Sequence, residues 1–192
     1  MSKTKITLGS LGLTDANADR ILMWDDSAGA ISQLVASTNL TISGTNVTAS
    51  GGKILNFGHV VSTSEVTNNS TSSYADGNLS LAFTPTASDS TVLLILQLSL
   101  FLNHTTSADA AVRVKIFRDS TEIYDSGSTQ NYHSASSSGN VRYSTPLIYK
   151  DSPSTTSQVT YSYDFLNPHT TQVIEISDNS APSTLTAFEI GA

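Results

Sequence analysis

Cysteine is absent from this chain of 192 residues, which removes disulfide staples, thiolate nucleophiles and cysteine-based zinc sites together. That suits a protein made in a reducing cytosol that must persist outside it without bridges. Charge is thin as well. Only 13% of residues are charged, with nine Lys plus Arg against sixteen Asp plus Glu, a net charge of −7 and a pI near 4.8. An acidic surface repels phosphate backbones and offers no polybasic patch to an anionic membrane, so neither nucleic-acid binding nor membrane insertion is expected. Long hydrophobic runs are missing too. The most apolar stretch, Val92 to Leu102 (VLLILQLSLFL), is too short to cross a bilayer as a helix, and the opening MSKTKITLGSLGL lacks the apolar core of a secretory signal. Glu, Lys and Gln, which favour helices, are scarce, and no window carries a 3.6-residue apolar repeat with capping residues.

What is present favours sheet. Ser and Thr make up about three residues in ten, and hydroxyls and amides rather than ion pairs carry solubility. Thr suits pleated half-buried surfaces, while Ser and Asn suit turns. Composition changes near Gly51-Gly52. Before it, Arg20 to Asp25 and Ala30 to Val35 flank the turn-like Asp26-Ser27-Ala28-Gly29, and Asn39 to Ser43 and Asn46 to Ala49 flank Gly44-Thr45. Two small hairpins with one Trp bury little, so residues 1–51 are expected to need a partner surface for attachment or oligomerisation.

Residues 52–192 read as a run of strands. Leu79, Leu81 and Phe83 alternate with Asn78, Ser80 and Ala82, Val112, Val114 and Ile116 with Arg113, Lys115 and Phe117, and Val159, Tyr161, Tyr163 and Phe165 alternate almost perfectly. Thr91 to Asn103 is apolar on both faces, the pattern of a strand buried between two layers. Asp119-Ser120 turns one strand back on the next, and Pro146 marks an edge strand or a bulge. Eight or nine strands at short spacing predict an all-β fold, a C-terminal jelly-roll-like sandwich after N-terminal hairpins. Ser64 to Gly77 and Gly127 to Asn140 are expected to be long polar loops.

No catalytic constellation is complete. There is no G-x-S-x-G elbow, no H-E-x-x-H and no glycine-rich phosphate loop. His59, His104, His133 and His169 show no pair at ligand spacing. Asp15-Ala-Asn17-Ala-Asp19 opens like a calcium loop, but Arg20 stands where Gly must turn and Asp26 where a bidentate Glu is needed. Glu175 and Glu189 sit on separate late strands, either meeting across a sheet or facing outward. Neither an enzymatic activity nor a metal or cofactor is expected. Tyr132 and His133 at the centre of one polar loop, and Tyr74 in the other, form the candidate receptor-contact set, since exposed aromatics stack on sugar faces while Ser and Asn satisfy hydroxyls.

Ala18 to Ser50 resembles a segment of tail-fibre and related virion proteins of tailed phages, especially marine and cyanobacterial ones. Asp19 and the run Trp24-Asp25-Asp26-Ser27-Ala28-Gly29 match a first hairpin, and Leu40, Ile42, Ser43, Gly44, Thr45 and Val47 a second. Leu79 to Pro85, Phe117 to Asp119, Asp151 to Tyr161 and Leu185 to Ile190 are similar to motifs of the terminal β-domains of such fibres. The resemblance implies a homotrimeric virion component, assembled in the host cytoplasm and released by lysis. Residues 1–51 would dock on another virion protein, and a knob would contact a host-surface glycan. Without a long shaft between Gly52 and the knob, a capsid decoration (cement) protein is the alternative.

Overall fold

Alternating apolar residues can hide from water only if neighbouring strands share a face, and the chain satisfies that demand twice. The computed structural model describes residues 21–25, 30–34, 40–43, 46–49, 54–104, 109–127, 130–134, 138–170 and 172–191, within two compact units, Met1–Gly51 and Gly52–Ala192. In the first unit β1 (Ile21–Asp25) pairs antiparallel with β2 (Ala30–Leu34), and β3 (Leu40–Ser43) with β4 (Asn46–Ala49). Both hairpins read from the sequence form. The calcium-like Asp15 to Asp19 segment lies outside the described residues.

The second unit holds β5 (Ile54–Ser62), β6 (Val66–Asn68), β7 (Ala75–Phe83), β8 (Thr91–His104), β9 (Asp109–Arg118), β10 (Thr121–Asp125), β11 (Gln130–Ser134), β12 (Gly139–Asp151), β13 (Val159–Leu166), β14 (Gln172–Ile176) and β15 (Ser183–Ile190). Three pairs of these are single lanes interrupted by an irregular step. β14 and β15 run along the same side of β8, separated by a short 3-10 turn at Asp178–Ser180. β5 and β6 flank them in turn, and β10 and β11 both pair with β9. Counted as lanes in chain order, one sheet runs first–eighth–third–sixth (β5/β6, β14/β15, β8, β12). The other runs second–seventh–fourth–fifth (β7, β13, β9, β10/β11). Eight antiparallel lanes in that order are a jelly roll, two Greek keys folded into two sheets. The fold is all-β, and Pro146 lies on β12 at a sheet edge, the place in a sheet that tolerates a residue without an N–H.

Each inner face is one parity of its strands. Val92, Leu94, Leu96, Leu98, Leu100 and Leu102 of β8 meet Val112, Val114 and Ile116 of β9 and the aromatic row Tyr161, Tyr163 and Phe165 of β13, all essentially without solvent exposure. Each such side chain contributes about 1.5–3 kcal/mol of burial. Gly77 lets the Tyr163 ring lie on the β7 backbone, since a Cβ there would stand 2.2 Å from the ring.

Two expectations change. β8 is not covered on both sides: Leu93 and Ile95 are half-buried and Gln97 is exposed, on the face turned away from the core. Only its even-numbered row needs the interior, and the hydrophobicity of the other row has another cause. The two long polar loops also contain strands. β6 lies in the first and β11 in the second, where Asp109–Val112 of β9 would otherwise leave backbone groups unpaired.

Candidate functional site

Buried polar groups are where chemistry would be found, and here they join the two sheets. Glu189, fully buried on β15, accepts from the backbone N–H groups of Thr86 and Ala87 and from the hydroxyls of Thr86 and Ser90, all on the β7–β8 connection. Burial alone would raise its carboxyl, but these hydrogen bonds, led by Ser90, outweigh that and hold it below the ordinary glutamate range. Asp151 at the end of β12 accepts both Arg118 Nη1, at 2.7 and 2.8 Å, and the Tyr161 hydroxyl at 2.8 Å. Burial first, and then the hydrogen bond to Asp151, raise that phenol far above its usual value. At the far end Gln172 of β14 exchanges two hydrogen bonds with the Ala111 backbone, as a strand would, and is held by Asn167. Each group is satisfied by protein partners, which is the work of a staple rather than of a poised reactant.

The candidate contact residues come from two places, Tyr132 and His133 from β11 and Tyr74 from the residue just before β7. β11 pairs with Asp109–Val112, so Tyr132 stands 53% exposed, while His133 is half-buried with its ring 5.7 Å from that of His104. Sequence spacing, 29 residues apart, could not bring those two imidazoles together; strand pairing does. Tyr74 packs on the next stretch of β9. Its ring centroid lies 4.8 Å from Lys115 Nζ and 6.0 Å from Arg113 Cζ, and its buried hydroxyl has no partner. Burial and then Asp125 raise its pKa, against the pull of Arg113 and Lys115. Tyr132 on β11 is thus largely exposed beside one end of β9, whereas Tyr74, just before β7, lies against the cations farther along that strand.

A second site was not legible in the sequence. On the outer face of the other sheet a cleft of about 280 Å³ is lined by Ser99, Phe101, Arg142, Ser144 and Asp178, among others. The Arg142 guanidinium lies 4.3 Å above the Phe101 ring and donates from Nε (3.0 Å) and Nη2 to Asp178 Oδ2. Glu65 and Glu175 bring carboxylate oxygens within 4.8 Å of each other and of Asp178. Burial, then Glu65 and Asp178, raise the Glu175 carboxyl, while Arg142 opposes them. Three carboxylates suit a hard cation, but calcium takes six to eight oxygens and Arg142 already occupies Asp178. Glu175 and Glu189 do not meet: one faces this cleft's rim, the other the interior. Register explains the grouping, since Arg142 and Glu175 both stand opposite Phe101.

No protein-family model matches the chain, and no curated protein matches it. Among solved structures, the VP2 subviral particle of infectious bursal disease virus is 10% identical, with a TM-score of 0.39 over 85% of this chain and 44% of that one. The Gt strain of the same virus gives 8% and 0.38 over 85% and 45%. The chain thus spans less than half the length of these proteins. The CBM22-1 xylan-binding domain of Paenibacillus barcinonensis Xyn10C is 14% identical with a TM-score of 0.27, covering 75% of this chain and 99% of that one. The protein is a jelly-roll β-sandwich, an assignment that rests on its own strand order.

Proposed function

We propose that this chain is a virion structural protein of a tailed phage, a short fibre-tip module that attaches to the host surface. What carries the reading is the union of a jelly roll with an N-terminal hairpin unit whose Trp24–Gly29 run resembles tail-fibre segments. Jelly rolls serve in viral capsid and lectin domains alike, and fold alone does not choose between them. The buried polar groups support a particle component, because Glu189, Asp151 and Gln172 are engaged in holding sheets together. Residues 1–51 serve as the joint to another virion protein, three copies associate, and the Tyr132, His133 and Tyr74 set meets a surface glycan, with Tyr132 the most exposed of the three. Capsid decoration is the second reading, favoured by the direct succession of the two units at Gly51 and Gly52 with no shaft between them.

Immunogold labelling of purified virions tests both readings. Gold at the tail tip, with adsorption lowered in a Tyr132→Ala virion, is the expected result. Gold over the head, with Tyr132→Ala neutral and heads bursting on heating when the protein is removed, supports decoration. Particles that carry no label refute the virion placement altogether.

A further inference from the structure

The residue pairing of the β12–β8–β15–β5 sheet assembles an apolar surface on its outer face that the core does not use. Across the lanes, Ile190 stands opposite both Ile54 and Thr91, and Phe188 opposite Phe57 and Leu93, with Lys150 beyond. The next rows are His59, Thr186, Ile95 and Ile148, and then Val61, Thr184, Gln97 and Pro146. Ile54 and Ile148 are 63% exposed, Phe57 56% and Val61 50%, four of the five large apolar side chains exposed among the described residues. Phe57 and Phe188 already pack ring to ring at 5.2 Å. Here is the second cause of the hydrophobicity of β8: Leu93 and Ile95 belong to this surface.

We infer that this face is the surface on which a second copy of the same chain docks. The inference rests on the self-association proposed above and assigns it a place. Two observations choose that occupant. The first is size. Four lanes at about 4.8 Å and seven residues at about 3.3 Å make a rectangle of about 19 by 23 Å, or ~440 Å² before side-chain relief is counted. That is a little over half of the ~800 Å² each partner gives to a standard interface, the share expected of an apolar centre that a polar rim completes. The second is charge. On a chain of net charge −7, copies repel wherever acids face acids. These four rows hold no Asp or Glu, and Lys150 and His59 are their only basic side chains. It is a place where two copies can approach without setting acid against acid, which fits a self-partner better than a basic one.

Because the chain has no cysteine, a single introduced thiol reports on one spot. The full-length I148C variant, carrying a benzophenone maleimide and irradiated at micromolar concentration, is expected to yield a two-chain band on a denaturing gel. The same label on Y132C, exposed on the opposite sheet, is expected to yield none. Adding Phe57→Glu places a charge on the β5 lane of the contact, against Phe188, and is expected to weaken the band about tenfold or more. A one-chain product only, equal bands from I148C and Y132C, or insensitivity to Phe57→Glu overturns the inference. Light scattering separates the two readings. An oligomer without the I148C band leaves self-association standing and this face wrong, and a monomer near 20.3 kDa sinks both.

Discussion

Replacing Glu189 by glutamine keeps the shape of a side chain that has no solvent exposure and removes its charge. The Oε1 atom accepts from Thr86 N–H (2.8 Å), Thr86 hydroxyl (3.0 Å), Ala87 N–H (3.0 Å) and Ser90 hydroxyl (2.7 Å). A glutamine oxygen can take that position. Its amide then faces the Thr86 N–H across the 2.9 Å now spanned to Oε2, donor against donor. Hydrogen bonds to charged groups contribute about 1.5–3 kcal/mol and neutral ones about 1. Four weakened bonds and one repulsive contact, offset by the relief of no longer burying a charge, leave a net loss of about 2–4 kcal/mol. The pH dependence follows from the depressed carboxyl. Its contribution is fully present above the unfolded-state pKa of about 4.3 and is lost as pH falls through the lower folded value. Urea unfolding followed by circular dichroism, at one protein concentration, is therefore expected to show the full gap between wild type and Glu189→Gln at pH 7 and a shrinking gap in acid. Stabilities within about 0.5 kcal/mol at pH 7, below the smallest loss estimated from the bonds, would refute the account of this staple. So would a gap that holds or widens as pH falls.

Arg118→Ala leaves the Asp151 carboxylate, 6% exposed, with the Tyr161 hydroxyl as its one side-chain partner among the described residues. A loss of about 2–4 kcal/mol is expected, discounted for the partial exposure of Arg118, and Asp151→Asn in the same chain should recover part of it. If the double variant unfolds at the same denaturant concentration as Arg118→Ala, the stranded charge is not the cause. Gly77→Ala drives a methyl group into the Tyr163 ring, which is 1% exposed and has little room to retreat. A cost of about 1–3 kcal/mol is expected in the same assay, and an unchanged midpoint would show that the ring moves freely.

Residue pattern alone determined the layers of this protein. Period-two alternation in Leu79 to Phe83, Val112 to Ile116 and Val159 to Phe165 admits one way of hiding every second side chain, because successive Cβ atoms point to opposite faces. The hairpin at Asp119, where φ is +54°, and the edge position of Pro146 were legible from residue chemistry, a short polar side chain that tolerates a left-handed turn and a ring without an N–H. Tertiary structure decided everything that depends on which strands become neighbours. β8 is continuous apolar text, and only its place in the sheet shows that one row serves the core and the other an outer face. Glu175 and Glu189 look alike along the chain. Strand pairing sets the first beside Glu65 and Asp178, while the β7–β8 connection wraps the second in four donors. The Arg142–Phe101 cleft joins residues from β8, β12 and the turn at Asp178. Register across a sheet is a long-range choice, settled by the packing of all eight lanes at once, and no local stretch of sequence carries it.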